Sequence, residues 1–327
     1  TLDDFLNQLA DSRILSAEEM RAISTQFEQV DPSSHPDTIA DLLVATGRLT
    51  RFQAEELQAG RGGRLALGEY VLLKQIGAGG MGRVYQARHR RLERLAAIKM
   101  LPDEALDSTI AVERFQQEVR VAARLLHRNI VITHDAGEAD GIHYLVMEFV
   151  DGQNLARLVS RNGPFAVEDA ITCAMQAAEA LSYAHEQGVV HRDIKPSNLI
   201  VDRQGTLKIL DMGLARIAAG NEATDETTGE RLTSAGQMMG TYDFMSPEQA
   251  EDTRNVAATS DMYSLGCTLF YLLSGRPPYV GETAVNILLA HREAPIPSLL
   301  SQRDDVPASL DNVVRRMLAK WPEERFA

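Results

Sequence analysis

The feature that most constrains the fold of this 327-residue chain is a glycine cluster between two strand-like runs. Residues 77–84 read GAGGMGRV, and the flanking runs 70–76 and 83–87 have the composition of β-strands. Glycines let backbone N–H groups approach phosphate oxygens without a side-chain clash. In dinucleotide-binding folds a helix follows such glycines, whereas here a strand follows. The pattern therefore predicts a β-hairpin whose turn contacts a phosphate group.

A lysine on the next predicted strand supports a phosphate site. Lys99 lies 22 residues after Gly77, in the run 95–101 that reads LAAIKML. A lone lysine at a strand end is usually only solvated, but at this spacing behind a glycine turn it can reach phosphate oxygens. We therefore interpret Lys99 as a phosphate-binding residue.

The remaining pattern separates a strand-rich part from a helical part. A helix is predicted over 113–126, with four apolar residues on one face: Phe115, Val119, Ala122 and Leu126. A further strand is predicted over 142–149, and after residue 152 the chain becomes mostly helical. The expected fold class is α+β, with a β-rich small lobe followed by a mainly helical large lobe.

Residues 1–59 form a small all-α module in this interpretation. Residues 16–19 and 50–53 match the capping-box pattern of helix N-termini. We expect four helices in two pairs, followed by a glycine-rich linker over 60–67. The module contains no plausible catalytic cluster, so we expect a docking or regulatory role.

Composition excludes several classes of protein. The chain has 33 basic and 46 acidic residues, a net charge of −13 that argues against a nucleic-acid partner. Its two cysteines, Cys173 and Cys267, predict buried thiols in a reducing, cytoplasmic compartment. The longest uncharged apolar run, 262–275, fits a buried helix and is too short to cross a membrane. We expect a fragment truncated at Ala327, and a membrane anchor beyond that residue stays open.

The most informative motif is residues 191–198, which read HRDIKPSN. Residues 211–213 read DMG and residues 246–248 read SPE. Together with the glycine cluster and Lys99, these motifs stand in the order that protein kinases share. Over residues 68–327 the chain resembles the eukaryotic-like (Hanks-type) serine/threonine protein kinases of bacteria.

The resemblance implies the bilobal protein kinase fold. The small lobe would cover about residues 68–150 and the large lobe about residues 151–327. The segment 1–59 is similar to the helical leaders of planctomycete kinases. In the large lobe, Glu248 would pair with Arg325, and Asp261 would brace the catalytic loop.

The resemblance also implies catalytic roles for four residues. Lys99 would hold the α- and β-phosphates of ATP, with Glu118 on the following helix as its ion-pair partner. Asp193 would orient the substrate hydroxyl and accept its proton. Lys195 would contact the γ-phosphate, and a lysine at this position is typical of serine/threonine kinases.

Two further residues would bind the metal ion that accompanies ATP. Asn198 and Asp211 carry oxygen ligands of the type that Mg²⁺ prefers. The cofactors implied are therefore ATP and Mg²⁺.

The resemblance extends to the nucleotide pocket. The glycines would approach the phosphates, Val84 and Ala97 would form the roof of the adenine pocket, and Ile200 its floor. Met147 would be the gatekeeper, and the backbone around Glu148 would bind the adenine edge. The positions implied are Gly77, Gly79, Gly80, Gly82, Val84, Ala97, Met147, Glu148, Val150 and Ile200. Its apolar members are equally well explained as core residues.

The segment from Asp211 to Glu248 resembles an activation loop. A phosphate on it could pair with Arg192, which directly precedes the proposed base. We hypothesise that Thr233 or Ser234 is the activating autophosphorylation site. The further candidates are Thr224, Thr227 and Thr228.

The function predicted is transfer of the γ-phosphate of Mg-ATP to Ser or Thr hydroxyls of proteins, the chain itself included. The partners implied are protein substrates and a second copy that pairs through the small lobes. One alternative is a pseudokinase scaffold that binds ATP and partners without turnover. Another is a small-molecule phosphotransferase, which the SPE motif and the long loop before it disfavour.

Overall fold

The computed structural model describes residues 2–27, 36–79, 82–101, 109–212, 242–252 and 256–326. The chain divides into two compact units. The first unit comprises residues 1–112 and 133–149, and the second comprises residues 113–132 and 150–327.

The first unit contains a six-stranded sheet. Its strands are β1 (Ala66–Leu67), β2 (Tyr70–Gly79), β3 (Gly82–His89), β4 (Leu95–Met100), β5 (Thr133–Ala139) and β6 (Ile142–Glu148). They lie in the order β1-β2-β3-β4-β6-β5, and each neighbouring pair is antiparallel. The hairpin predicted around the glycine cluster is confirmed, as are the strands predicted over 95–101 and 142–149. One face of the sheet buries a core that includes Tyr85, Ile98 and Val146.

Strand β5 was not predicted, because it lies at the sheet edge and its residues are polar or small and mostly exposed. The turn that joins it to β6 contains Asp140 and Gly141, which both have positive φ, 50° and 77°. Asp-Gly is a preferred pair for this type of hairpin turn. The dipeptide is therefore the sequence signal that locates this strand.

The four helices predicted in the leader are confirmed as α1 (Leu2–Asp11), α2 (Ala17–Phe27), α3 (Pro36–Ala45) and α4 (Arg51–Gln58). Both capping boxes are also confirmed. The Ser16 N–H donates to Glu19 Oε2 at 2.7 Å, and the Glu19 N–H donates to Ser16 Oγ at 3.2 Å. At the start of α4 the same two bonds join Thr50 and Gln53, at 2.8 and 3.1 Å. Each box satisfies backbone donors that a helix N-terminus leaves unpaired.

The leader shares an apolar core with the first strands of the sheet. Leu65 and Val71 belong to the same buried cluster as Leu9 and Leu57. Residues 60–67, predicted as a linker, form a 3-10 turn (Gly62–Arg64) and strand β1, because their apolar side chains are needed in this core. Residues 1–59 therefore belong to the same compact unit as the sheet. Their docking or regulatory role stays a prediction.

The second unit is mainly helical. Its elements are β7 (Gly152–Asn154), α6 (Leu155–Asn162), α7 (Val167–Glu186), β8 (Leu199–Asp202), β9 (Leu207–Ile209), α8 (Pro247–Glu251), α9 (Ala258–Ser274), α10 (Ala284–Glu293) and α11 (Ala308–Met317). Strands β7, β8 and β9 form a small antiparallel sheet in that order. The buried helix predicted over 262–275 is confirmed as α9, which carries the fully buried side chains of Tyr263 and Phe270.

The helix predicted over 113–126 has different bounds, Thr109–Ala122, and is labelled α5. Phe115 and Ala122 are buried, but the placement of Leu126 on the same helix face is wrong, since the helix ends at Ala122 and Leu126 is 66% exposed. Tight turns at residues 124 and 125 follow the helix and break its periodicity. Leu125 therefore takes the buried position instead.

Both cysteines are free and buried, as predicted. Burial raises the pKa of the Cys173 thiol to about 11, which leaves it protonated and unreactive near neutral pH. Within the described residues, no helix is long and apolar enough to cross a membrane.

The predicted pair between Glu248 and Arg325 is confirmed. Arg325 is 3% exposed and donates from Nη1 to Glu248 Oε1 at 2.7 Å and from Nη2 to Oε2 at 2.8 Å. Ser260 Oγ also donates to Oε1. Burial raises the pKa of Glu248, but the bonds from Arg325 and Ser260 outweigh it, so the pKa lies below the ordinary value of 4.5. The ionised carboxylate thus stabilises this part of the second unit.

We predict that Glu248→Gln lowers the free energy of unfolding by about 2 kcal/mol at pH 7, because a charge-assisted bond is lost. A lowered folded-state pKa means that this stabilisation is present above pH 4.5 and is lost as pH falls through the folded pKa. Urea unfolding between pH 7 and pH 4 should show that the difference in unfolding free energy between Glu248→Gln and the parent shrinks as the pH falls below 4.5. The exposed Glu251→Gln on the same helix is the control. A difference that stays constant with pH would contradict the assignment.

Candidate active site

The sheet of the first unit places five of the predicted nucleotide-binding residues on one face. In antiparallel ladders, directly paired residues share a face, as do residues two apart on one strand. Val84 pairs with Gly77 on one side and with Lys99 on the other. Ala97 lies two residues before Lys99 and pairs with Met147. This face is opposite to the one that buries the core around Tyr85.

The glycine turn is built from the facing ends of β2 and β3. Gly79 pairs with Gly82, whose φ of 112° is a conformation that residues with a Cβ rarely adopt. This requirement explains a glycine at position 82. Gly80, predicted to contact phosphate, lies outside the described residues.

Lys99 is 4% exposed and is the penultimate residue of β4. Glu118, its predicted partner, lies on α5, and its side chain is outside the part of the chain that the structure describes. Glu148 ends β6, Val150 lies two residues later, and Ile200 lies on β8; all three are half-buried.

Three predicted polar residues of the second unit converge in the loop after α7. Lys195 Nζ lies 2.8 Å from Asp193 Oδ2, and both side chains are about four-fifths buried. Asn198 Nδ2 donates to Asp193 Oδ2 at 2.9 Å and to the Asp193 carbonyl oxygen at 2.8 Å. An ammonium group and an amide N–H thus hold one carboxylate in a fixed orientation. The chemistry of this group is that of a positioned proton acceptor beside a cation.

This loop is anchored by a fully buried carboxylate on α9. Asp261 Oδ1 accepts from the Arg192 N–H at 2.7 Å, and Oδ2 accepts from the His191 N–H at 2.8 Å. His185 Nε2 also lies 2.8 Å from Oδ2. The predicted bracing role of Asp261 is confirmed by these contacts.

Arg192 adopts a left-handed backbone conformation, with φ of 70°. This conformation costs energy in a residue with a Cβ and persists only when its surroundings enforce it. Asp261 holds the N–H of Arg192, and Gln249 Nε2 donates to its carbonyl oxygen at 2.7 Å. Gln249 was not predicted, because nothing local to α8 indicates a bond to a residue 57 positions away.

His191 connects this loop to the segment that carries Asp211. Its Nδ1 accepts from the Asp193 N–H at 3.1 Å, so Nε2 carries the proton and donates to the Leu210 carbonyl at 2.8 Å. The Leu210 N–H donates to the Asn198 carbonyl oxygen at 2.9 Å. Asp211 follows directly, with a positive φ of 54°. The backbone carrying Asp211 is thus tied to both Asn198 and His191.

The residues present fit a hard cation such as Mg²⁺. Asn198 uses its amide nitrogen to bind Asp193, so its carbonyl oxygen is the ligand atom that it can offer. Asp211 supplies a carboxylate. An amide oxygen and a carboxylate are the donor types that Mg²⁺ prefers.

The predicted regulatory residues lie outside the described residues. They are Thr224, Thr227, Thr228, Thr233 and Ser234. Their modification stays a prediction.

Comparison with known proteins identifies the family. The model of the protein kinase domain matches residues 70–327. This chain belongs to the protein kinase family, and its kinase domain is of the bacterial serine/threonine class. It is 40% identical over 265 residues to the probable serine/threonine-protein kinase PknB of Lactococcus lactis, covering 81% of this chain and 41% of that protein.

Two further proteins are similar to this chain. Serine/threonine-protein kinase PrkC of Bacillus subtilis is 39% identical over 266 residues, which cover 81% of this chain and 39% of PrkC. The crystal structure of the Mycobacterium tuberculosis PknI kinase domain is similar with a TM-score of 0.60 and 28% identity, covering 80% of this chain and 92% of that one. The fold is thus the bilobal protein kinase fold, preceded by helices α1–α4. The chain spans about two fifths of the length of the curated relatives it matches.

We predict that Asp261→Asn lowers the free energy of unfolding by about 2 kcal/mol. The amide has one acceptor oxygen, so its NH₂ group must face either the Arg192 N–H or the donors from His191 and His185. A buried backbone donor is then left unpaired. Urea denaturation measures the loss, with the exposed Glu186→Gln at the end of α7 as the control. Equal stability of Asp261→Asn and the parent would show that Asp261 does not anchor the loop.

Proposed function

We propose that this chain is an active protein serine/threonine kinase, which transfers the γ-phosphate of ATP to Ser or Thr hydroxyls of proteins. The observation that carries the proposal is the fixed group of Asp193, Lys195 and Asn198. Membership of the kinase family supports it. The whole protein's substrates and partners are part of this proposal.

Asp193 would receive the proton of the substrate hydroxyl as its oxygen attacks the γ-phosphorus. Asp193 would contribute mainly through its position beside the attacking hydroxyl. Lys195 lies 2.8 Å from the same carboxylate and would neutralise charge on the γ-phosphate as the bond to the β-phosphate oxygen breaks. Asn198 would keep the carboxylate aimed while its own oxygen faces the metal site.

In the first unit, Lys99 and the glycines would hold the phosphates of ATP, and Val84, Ala97 and Met147 would contact the adenine. Their common face in the sheet supports this assignment. Pairing of Lys99 with Glu118 stays a prediction. So do the contacts of Glu148, Val150 and Ile200 with the adenine.

Asn198 and Asp211 would hold Mg²⁺. The bound ion would neutralise phosphate charge and orient the transferred group.

The alternative of a scaffold without turnover is disfavoured by the chemistry that the chain retains. Asp193 contacts both Lys195 and Asn198, which is the arrangement expected in an active kinase. Met212 replaces the phenylalanine that is usual after the metal-binding Asp. It is buried in the core of the second unit and so fills an apolar position there.

We propose that the chain phosphorylates its own activation loop, and that two copies pair through their sheet-containing units. A cytoplasmic location rests on the two reduced cysteines. The planctomycete resemblance of the leader lies outside residues 70–327, the part that the family model matches, and stays a prediction.

We predict that Asp193→Asn reduces phosphate incorporation from Mg-ATP by about 10²- to 10⁴-fold, because the proton acceptor is lost while the amide keeps the shape of the carboxylate. Incorporation into the chain and into a generic protein acceptor is measured with labelled ATP. Mass spectrometry then maps the modified residues. The exposed Asp304→Asn is the matched control and should retain parental activity.

Three outcomes would count against the proposal. Equal labelling of the parent and Asp193→Asn would remove Asp193 as the base. ATP binding without labelling of any protein would favour the scaffold. Turnover that requires a small metabolite would favour the small-molecule phosphotransferase.

A further inference from the structure

Strand β2, which leads into the glycine turn, contains an irregularity at Leu73. Leu72 pairs with Ala87, and Lys74 pairs with Gln86. The pairing thus moves two residues along β2 but only one residue along β3. Leu73 is therefore the extra residue of a β-bulge. A second register shift lies between Gln75 and Gly77.

The bulge determines which side chains face the nucleotide. Leu72 is buried in the core on one face of the sheet, and Lys74 pairs with Gln86 on the other face. Residues two apart on a regular strand share a face, so the bulge alone produces this change. The two shifts together set the pairing of Gly77 with Val84. Loss of the bulge at Leu73 would shift the strand by one residue relative to β3.

Two leader side chains bind the backbone at this bulge. Thr50 Oγ1 donates to the Leu73 carbonyl at 2.6 Å. Gln53 Nε2 donates to the Leu72 carbonyl at 2.7 Å, and Gln53 is only 4% exposed. Both donors stand at the N-terminus of α4, so one short segment binds two consecutive carbonyls of β2.

Thr50 and Gln53 are also the capping box of α4. Thr50 Oγ1 accepts from the Gln53 N–H, and Gln53 Oε1 accepts from the Thr50 N–H. The acceptor atoms of these two side chains therefore bind backbone N–H groups at the start of α4, and their donor atoms bind carbonyls of β2. A capping box uses only the acceptor atoms of its two side chains, so the hydrogen bonds that Thr50 and Gln53 donate to β2 are an additional feature.

Apolar contacts fix α4 against the same part of the sheet. The rings of Phe52 and Tyr85 lie 5.7 Å apart, and Tyr85 pairs with Gln75 of β2. Phe52 also packs against the core beneath the sheet, and Arg90 of the chain after β3 donates to the Arg13 carbonyl of the leader. The face that α4 covers is opposite to the face of Val84 and Lys99.

We propose that Thr50 and Gln53 are positioning residues for ATP binding, which act by fixing the β2 bulge and hence the glycine turn. The leader then contributes to the nucleotide site, although α4 covers the opposite face of the sheet. This inference rests on the proposed kinase function, because the glycine turn is assigned to the phosphates of ATP.

Two substitutions separate the sheet contacts from the helix cap. Gln53→Glu keeps an acceptor for the Thr50 N–H but replaces the donor to Leu72 with an oxygen. Thr50→Asp likewise keeps the acceptor for the Gln53 N–H and removes the donor to Leu73. Asp and Glu are favoured at these two helix positions, so α4 keeps its cap in both variants.

The controls use the same helix. Thr50→Ser keeps the hydroxyl group and should therefore keep the parental KM, ATP affinity and amide exchange rates. Glu55→Gln changes an exposed residue of α4 and removes one negative charge. Thermal unfolding identifies any variant that fails to fold.

Kinase assays should show that Gln53→Glu and Thr50→Asp raise the KM for ATP by about tenfold while kcat changes less than about twofold. Titration of the same variants with Mg-ATP in an Asp193→Asn background should give a matching loss of affinity. Amide hydrogen exchange of residues 70–79 should be faster in both variants and unchanged in Thr50→Ser and Glu55→Gln.

The outcomes distinguish the inference from the proposed function. Folded variants that keep the parental KM, ATP affinity and exchange rates would overturn the inference and leave the kinase function intact. Faster exchange with unchanged ATP affinity would also overturn it, because the bulge would then not control the site. A parent chain that does not bind ATP would overturn the proposed function, and with it the positioning role that depends on ATP.

Discussion

The geometry of the loop over residues 191–198 depends on one buried carboxylate. Asp261 is fully buried on α9 and accepts bonds from two consecutive backbone N–H groups, those of His191 and Arg192. A fully buried carboxylate needs such donors, and a backbone with positive φ at Arg192 needs such an acceptor. Each therefore stabilises the other. Asp193 is the next residue, so the orientation of its side chain toward Lys195 and Asn198 follows from this anchor.

The first unit is organised by a different constraint, the pairing register of its sheet. The alternation of side chains sorts β3 and β4 into a face that carries Val84, Ala97 and Lys99 and a face that packs on the core with Tyr85. The leader covers the core face through Phe52, which leaves the other face to the nucleotide in our proposal. A leader on the core face can influence the site only through the backbone. The hydrogen bonds to the carbonyls of Leu72 and Leu73 join the leader to that backbone.

Much of this arrangement could be predicted from the sequence. The capping boxes, the glycine hairpin and the order of the kinase motifs are local patterns, and local backbone chemistry determines them. Asp261 and the pair of Glu248 with Arg325 could be predicted only through the family resemblance. Leu126 was misplaced because helical periodicity does not indicate where a helix ends. The edge strand β5 has no apolar alternation, so only its Asp-Gly turn marks it.

What the sequence could not predict are bonds from side chains to distant backbone carbonyls. Every residue carries a carbonyl, so no residue type marks the acceptors at Leu72 and Leu73 or at Arg192. The donors are Gln53, Thr50 and Gln249, and two of these already had a sufficient local role in a helix cap. A residue that already matches a helix-cap pattern in the sequence gives no sign that it also binds a distant strand. The leader therefore looked like an independent module in the sequence, whereas its capping residues bind the strand that precedes the glycine turn.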